Sequence, residues 1–185
     1  LHRSRGIVFR MSTLFALDAF AGGFVLQSFV AYWFTVRFNI DAGQLGTVFF
    51  TANLLSGLSG LVAARLADRF GLVNTMVFTH IPSNVFLILI PLMPTPGLAI
   101  TVLLLRFAIS QMDVPTRQSL VASVVEPDER AAAGGVTNVF RSSGTMLAPI
   151  LAGIMFGSAR TLSWPFFFAG SLKICYDLAL LAMFR

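Results

Sequence analysis

Residues 44–93 read QLGTVFFTANLLSGLSGLVAARLADRFGLVNTMVFTHIPSNVFLILIPLM. Two apolar runs, 44–66 and 73–93, flank a short hinge, Ala67-Asp68-Arg69-Phe70-Gly71-Leu72. Each run reaches the roughly 20 residues that an α-helix needs to cross a bilayer. Neither alternates with a period of two, and both are too long for barrel strands, so helices are the spanning form. Working outward, the same pattern recurs at 11–36, 98–125, 131–158 and 164–184. The intervening breaks at 37–43, 94–97, 126–130 and 159–163 carry turn chemistry. The prediction is an all-α integral membrane bundle of six transmembrane helices.

Composition agrees. Charged residues are 11 % of the 185 positions, against about 25 % in a soluble domain. That is too little polar surface for a soluble enzyme, and the 56 % hydrophobic content excludes a disordered chain. One cysteine and two histidines offer no intrachain disulfide and no metal cluster, so no metal and no cofactor is expected. The net charge of +5 comes from scattered arginines, which set topology and do not form a nucleic-acid patch.

With the N-terminus cytoplasmic, the inner side collects Arg3, Arg5, Arg10, Arg65, Arg69, Arg130 and Arg185, and the outer side Arg37 and Arg160. This bias places a multi-pass protein in the cell (inner or plasma) membrane with both termini cytoplasmic. Trp33 and Trp164 fall near outer helix ends, where aromatic belts sit. No cleavable signal peptide is visible. The chain opens on Leu1 and closes on Arg185 as the last helix finishes, so both ends read as cut.

Ionisable groups inside a span are costly and usually face a bundle interior or a water-filled cavity. The candidates are Asp18 in the first span, Arg106, Asp113 and Arg117 in the fourth, Arg141 in the fifth, and Lys173 and Asp177 in the sixth. At 100° per residue, Arg106, Ser110, Asp113 and Arg117 share one sector, and Asp113 and Arg117 are spaced to pair. This stripe either lines an aqueous pathway or knits the bundle. On the fifth span Gly134, Asn138, Arg141, Ser142, Thr145 and Pro149 share a broad face. It favours a cavity role for Asn138 and Arg141, with Asp18 or Asp113 as the alternative partners of Arg141. Asp18 is either a proton carrier or a fixed counter-ion, and Gly22–Gly23 permit a distortion of its helix. Lys173 and Asp177 are expected to neutralise each other, and His80 and Asn84 to pair. Asn53, Ser56, Gly57, Gly60 and Ala64 are expected to form a packing seam.

Three segments in order resemble the major facilitator superfamily of secondary transporters, specifically its C-terminal six-helix half. Ala64-Arg65-Leu66-Ala67-Asp68-Arg69-Phe70-Gly71 resembles the family's Gly-x-Leu-Ala-Asp-Arg-x-Gly-Arg loop, with Asp68, Arg69 and Gly71 matching. Arg106, Pro115 and Glu126-Pro127-Asp128-Glu129-Arg130 resemble its Arg…Pro…Glu-Arg pattern, and Gly144 to Gly153 its glycine/proline helix. The resemblance implies half of a twelve-helix fold and alternating access to a small-molecule substrate, with proton coupling as one possibility. It gives Asp68, Arg69 and Gly71 the role of a gating loop. It makes the lipid bilayer and an N-terminal six-helix half the partners, and it places the third and sixth helices at the periphery.

Two rivals stay open. One is a six-helix carrier or pore that works as a homodimer. The other is a rhomboid-like intramembrane serine protease, because Gly57-Leu58-Ser59-Gly60 matches a short nucleophile pattern and His80 could serve as base.

Overall fold

The computed structural model describes residues 2–184. Leu1 and Arg185, the latter among the inner arginines counted above, lie outside the described residues. Among the described residues every regular element is a helix: α1 Arg5–Gly23, α2 Gln27–Phe38, α3 Ala42–Phe70, α4 Leu72–Leu89, α5 Pro96–Ser110, α6 Asp113–Val124, α7 Arg130–Phe156 and α8 Trp164–Phe184. Single 3₁₀ turns at Ile90–Leu92 and Pro127–Glu129 extend α4 and lead into α7. Six spans are long and apolar enough to cross a membrane, two of them built from broken helices, α1–α2 and α5–α6.

Both breaks have local causes. Pro115 lacks the N–H that would bond the carbonyl of Gln111, and its ring crowds that carbonyl. The helix therefore stops at Ser110 and restarts at Asp113. At Gly22–Gly23 the ladder tightens to i,i+3 bonds, with Phe24 N–H donating to Ala21 and Val25 N–H to Gly22. α2 then restarts at Gln27.

The ends are capped as their chemistry dictates. Asn39 closes α2 in the left-handed region (φ 54°). Asp41 caps α3 by accepting from the backbone of Gly43 and Gln44, at 2.8 and 3.0 Å. The first N–H groups around α1 are capped from far along the chain. The Glu129 carboxylate accepts from the backbone N–H groups of His2, Arg3 and Ser4, where the helix dipole favours a negative group. This ties the N-terminal end of α1 to the α6–α7 connection. At the opposite end the Trp33 indole donates to Ser163 (3.2 Å). Trp33 is fully buried, so it anchors the α7–α8 turn and does not stand in an aromatic belt.

The interior has three layers. One apolar cluster, toward the N-terminal end, holds Val8, Met11, Phe15, Met76, Val77, Leu120, Tyr176 and Leu180. The other, toward the far end, holds Phe24, Trp33, Phe34, Leu87, Ala99, Leu103, Ala148 and Phe166. Between them on α1, α4, the α5–α6 span and α8, in sequence order, stand Asp18, His80, Arg106 to Arg117, and Lys173. Helix rise places Asp18, His80, Arg141 and Lys173 about 12–20 Å from the N-terminal end, near the midplane of a ~30 Å hydrocarbon layer.

The expected α3 seam differs from the observed one. On α3 the buried small residues are Ala52, Ser56, Ser59 and Ala63, while Asn53, Gly57 and Ala64 face outward. Only Ser56 of the expected seam lies on the packed side. α1 and α7 cross in close contact at Gly23 and Gly144. A Cβ on Gly153 would meet nothing within 4 Å.

Gly71 joins α3 to α4 at φ 86° and ψ 158°, a region that essentially only glycine occupies. Gly71→Ala is expected to destabilise the protein by about 1–2 kcal/mol, read as a lowered thermal midpoint in detergent. An unchanged midpoint would remove the backbone explanation for this glycine.

Candidate functional site

Asp18 is the hub of the charge layer. Its Oδ1 accepts from Lys173 Nζ at 2.5 Å and lies 4.0 Å from His80 Nε2. Its Oδ2 lies 3.5 Å from Arg141 and 3.6 Å from Arg117. One buried carboxylate thus gathers basic side chains from α4, α6, α7 and α8. Arg117 also donates to Asp113, one turn earlier on α6, at 2.7 Å. On the far side of His80, Nδ1 meets Asp177 at 2.8 Å, and Asn84 donates to the other Asp177 oxygen at 3.1 Å.

These contacts correct one sequence reading. Lys173 and Asp177 do not pair with each other. Lys173 reaches Asp18, and Asp177 is held by His80 and Asn84. His80 and Asn84 stand 3.3 Å apart. They pair as expected and also share the Asp177 carboxylate. The third and sixth spans, α4 and α8, supply His80, Lys173 and Asp177 to the layer but line no part of the cavity beside it.

Such an assembly is stable only if complete. Each buried ion carries a desolvation penalty of several kcal/mol, offset by its opposite charges and hydrogen bonds. Asp18 and Asp113 face Arg117, Arg141 and Lys173, and Asp177 is held by His80 and Asn84. Arg106 stands apart. It makes no ion pair among the described residues, and its buried Nε has no hydrogen-bond partner.

A cavity of 290 Å³ opens beside this layer. It is lined by Phe15 of α1, Arg117, Gln118, Val121 and Ala122 of α6, and Arg130, Gly134, Thr137, Asn138 and Arg141 of α7. Arg141 connects the two, with one nitrogen on Asp18 and a side chain that keeps 28 % of its exposure. Asn138 lies beside it. Asp18 and Asp113 sit behind the wall, and Arg106 does not line the cavity. Asp68, Arg69 and Gly71 form no part of it. They lie exposed at the α3–α4 junction, with the Arg69 guanidinium 5.4 Å from the Phe70 ring centre. Asp68 sits inside the last turn of α3 and caps no neighbouring helix; the N-cap position of α4 is Gly71.

The protease geometry is not formed. The Ser59 hydroxyl donates to the Ser56 carbonyl of its own helix at 2.9 Å, while His80 is engaged by Asp177. Among the described residues no group of three or more His, Cys, Asp or Glu side chains is placed to hold a metal ion.

Comparison with known proteins gives two matches. The Major Facilitator Superfamily profile matches residues 12–185. An uncharacterized membrane protein of Saccharomyces cerevisiae, YJR124C, is 31 % identical over 179 residues, covering 96 % of this chain and 40 % of the yeast protein. The chain thus spans about two fifths of that relative's length. No solved structure matches significantly.

Proposed function

The chain belongs to the major facilitator superfamily, and from that premise we propose that it is the C-terminal six-helix half of a secondary transporter that moves a small molecule by alternating access. The family is one of membrane transporters, not of enzymes. The observation that carries the reading is the continuity between the midplane charge layer and the cavity through Arg141. A purely structural ion cluster would be sealed on all sides. This one presents a partly exposed guanidinium to a polar cavity on α6 and α7. The excess of arginine at the N-terminal end supports cytoplasmic termini, and the loop ending in Gly71 supports a gate at that face. Proton coupling fits His80, whose ordinary pKa lies near neutrality and which stands between Asp177 and Asp18.

Alternating access is tested in the intact protein by placing one cysteine at Asn138 in a Cys175→Ser background. A membrane-impermeant maleimide is then applied to right-side-out and inside-out vesicles. Labelling from both faces is the expected result, because the cavity opens to each side in turn. Labelling from one face only, at every pH and membrane potential, would make the cavity a fixed vestibule and overturn the transporter reading.

A further inference from the structure

We infer that the cavity on α6 and α7 takes a small anion, a solute bearing a carboxylate or phosphate group, held by Arg130 and Arg141. This rests on the transporter reading and names its substrate class. The argument begins with charge. Three arginines line the cavity, Arg117, Arg130 and Arg141, and no carboxylate lines it. Asp18 and Asp113 stand behind the wall, and Lys173 already takes the shortest contact to Asp18.

The donors are free where a ligand would meet them. Arg141 spends one terminal nitrogen on Asp18 at 3.5 Å, which leaves the remaining N–H groups of a planar, five-donor guanidinium. Arg130 is exposed and makes no ion pair among the described residues. Two such forks match the paired oxygens of a carboxylate or phosphate. Gln118 and Asn138 add neutral donors and acceptors beside them. A cation would meet repulsion from the guanidinium groups, and a neutral solute would leave Arg130 without a counter-charge among the described residues. The volume of 290 Å³ suits a small metabolite.

The test uses the intact protein in phosphatidylcholine nanodiscs and follows its thermal midpoint against citrate and inorganic phosphate, with tetraethylammonium and sorbitol as controls. Arg130→Gln, Arg141→Gln and Arg160→Gln are compared with the wild type. Arg130 is exposed and has no ion-pair partner among the described residues, so its variant is expected to fold whatever the outcome. Arg160 lies in the α7–α8 turn, away from the cavity.

The expected result is stabilisation by at least one of the two anions and by neither control. Half-saturation shifts tenfold or more in Arg130→Gln and Arg141→Gln and is unchanged in Arg160→Gln. Stabilisation by tetraethylammonium or sorbitol, or by anions equally in wild type and Arg130→Gln, would overturn the proposal. So would stabilisation that appears only when phosphatidylglycerol replaces part of the phosphatidylcholine, since the anionic group would then belong to a lipid. None of these failures touches the maleimide experiment, which reads alternating access without any anion.

Discussion

Asp18→Asn is expected to cost the folded protein about 3–5 kcal/mol, the range for removing one partner of a buried ion pair, and to abolish transport driven by a pH gradient. The substitution keeps the shape and removes one negative charge. Lys173, Arg117 and Arg141 then share a layer whose remaining carboxylates are Asp113 and Asp177, and Asp177 is occupied by His80 and Asn84. The uncompensated charge falls hardest on Lys173, whose carboxylate partner is Asp18 alone. Replacing Lys173 with methionine in the Asp18→Asn background removes one positive charge to match the negative charge lost. The double variant is therefore expected to recover most of the lost stability, by a coupling of a few kcal/mol in the double-mutant cycle.

The same cycle separates two roles for Asp18. As a fixed counter-ion, its loss is compensated by Lys173→Met, and gradient-driven transport returns with stability. As a proton carrier, stability returns and gradient-driven transport does not. The five contacts around Asp18 and Asp113 favour the counter-ion. Unchanged stability and transport in Asp18→Asn alone would remove Asp18 from both roles.

How far the sequence carried this site depends on the range of each interaction. The six spans were legible because length and hydropathy are properties of the segment itself. The breaks at Gly22–Gly23 and near Pro115 were prepared by residues on the spot, and the Asp113–Arg117 pair by i,i+4 spacing on one helix. The same spacing misled at Lys173 and Asp177. It permits a local pair but does not favour it over partners on α1 and α4 that only the packed bundle supplies. Depth was the usable signal. Asp18 on α1 and Lys173 on the antiparallel α8 lie at similar distances from the N-terminal end, so burial at one level was readable from residue counts. The α3 seam failed for another reason. Ala52-Ser56-Ser59-Ala63 and Asn53-Gly57-Gly60-Ala64 are two small-residue stripes offset by one residue, about 100° apart on the helix. Spacing alone does not choose between them.

The glycine/proline helix gives the sharpest contrast available in this fold, because identical substitutions at its two ends have opposite expected signs. A Cβ at Gly144 would lie 2.4 Å from the carbonyl oxygen of Ala16, 3.1 Å from its carbon and 3.3 Å from its Cα. All three atoms are α1 backbone, which has no rotamer to move aside. The crossing must open, and it opens beside Gly23, where a Cβ would stand 2.7 Å from Ala148 and where the same two helices touch again. Gly144→Ala is therefore expected to destabilise the protein by about 3 kcal/mol, at the upper end for overpacking. It should also lengthen the 3.5 Å contact between Arg141 and Asp18, one turn away on the same seam. Gly153→Ala meets no neighbour and gains the helix preference of alanine, about 0.5–1 kcal/mol. Thermal unfolding of the two variants in detergent reads the difference directly. Equal, small effects would show that α1 and α7 are not in contact through Gly144. A loss at both positions would confirm the crossing and show that, in the intact protein, the outer face of α7 at Gly153 is covered by another segment.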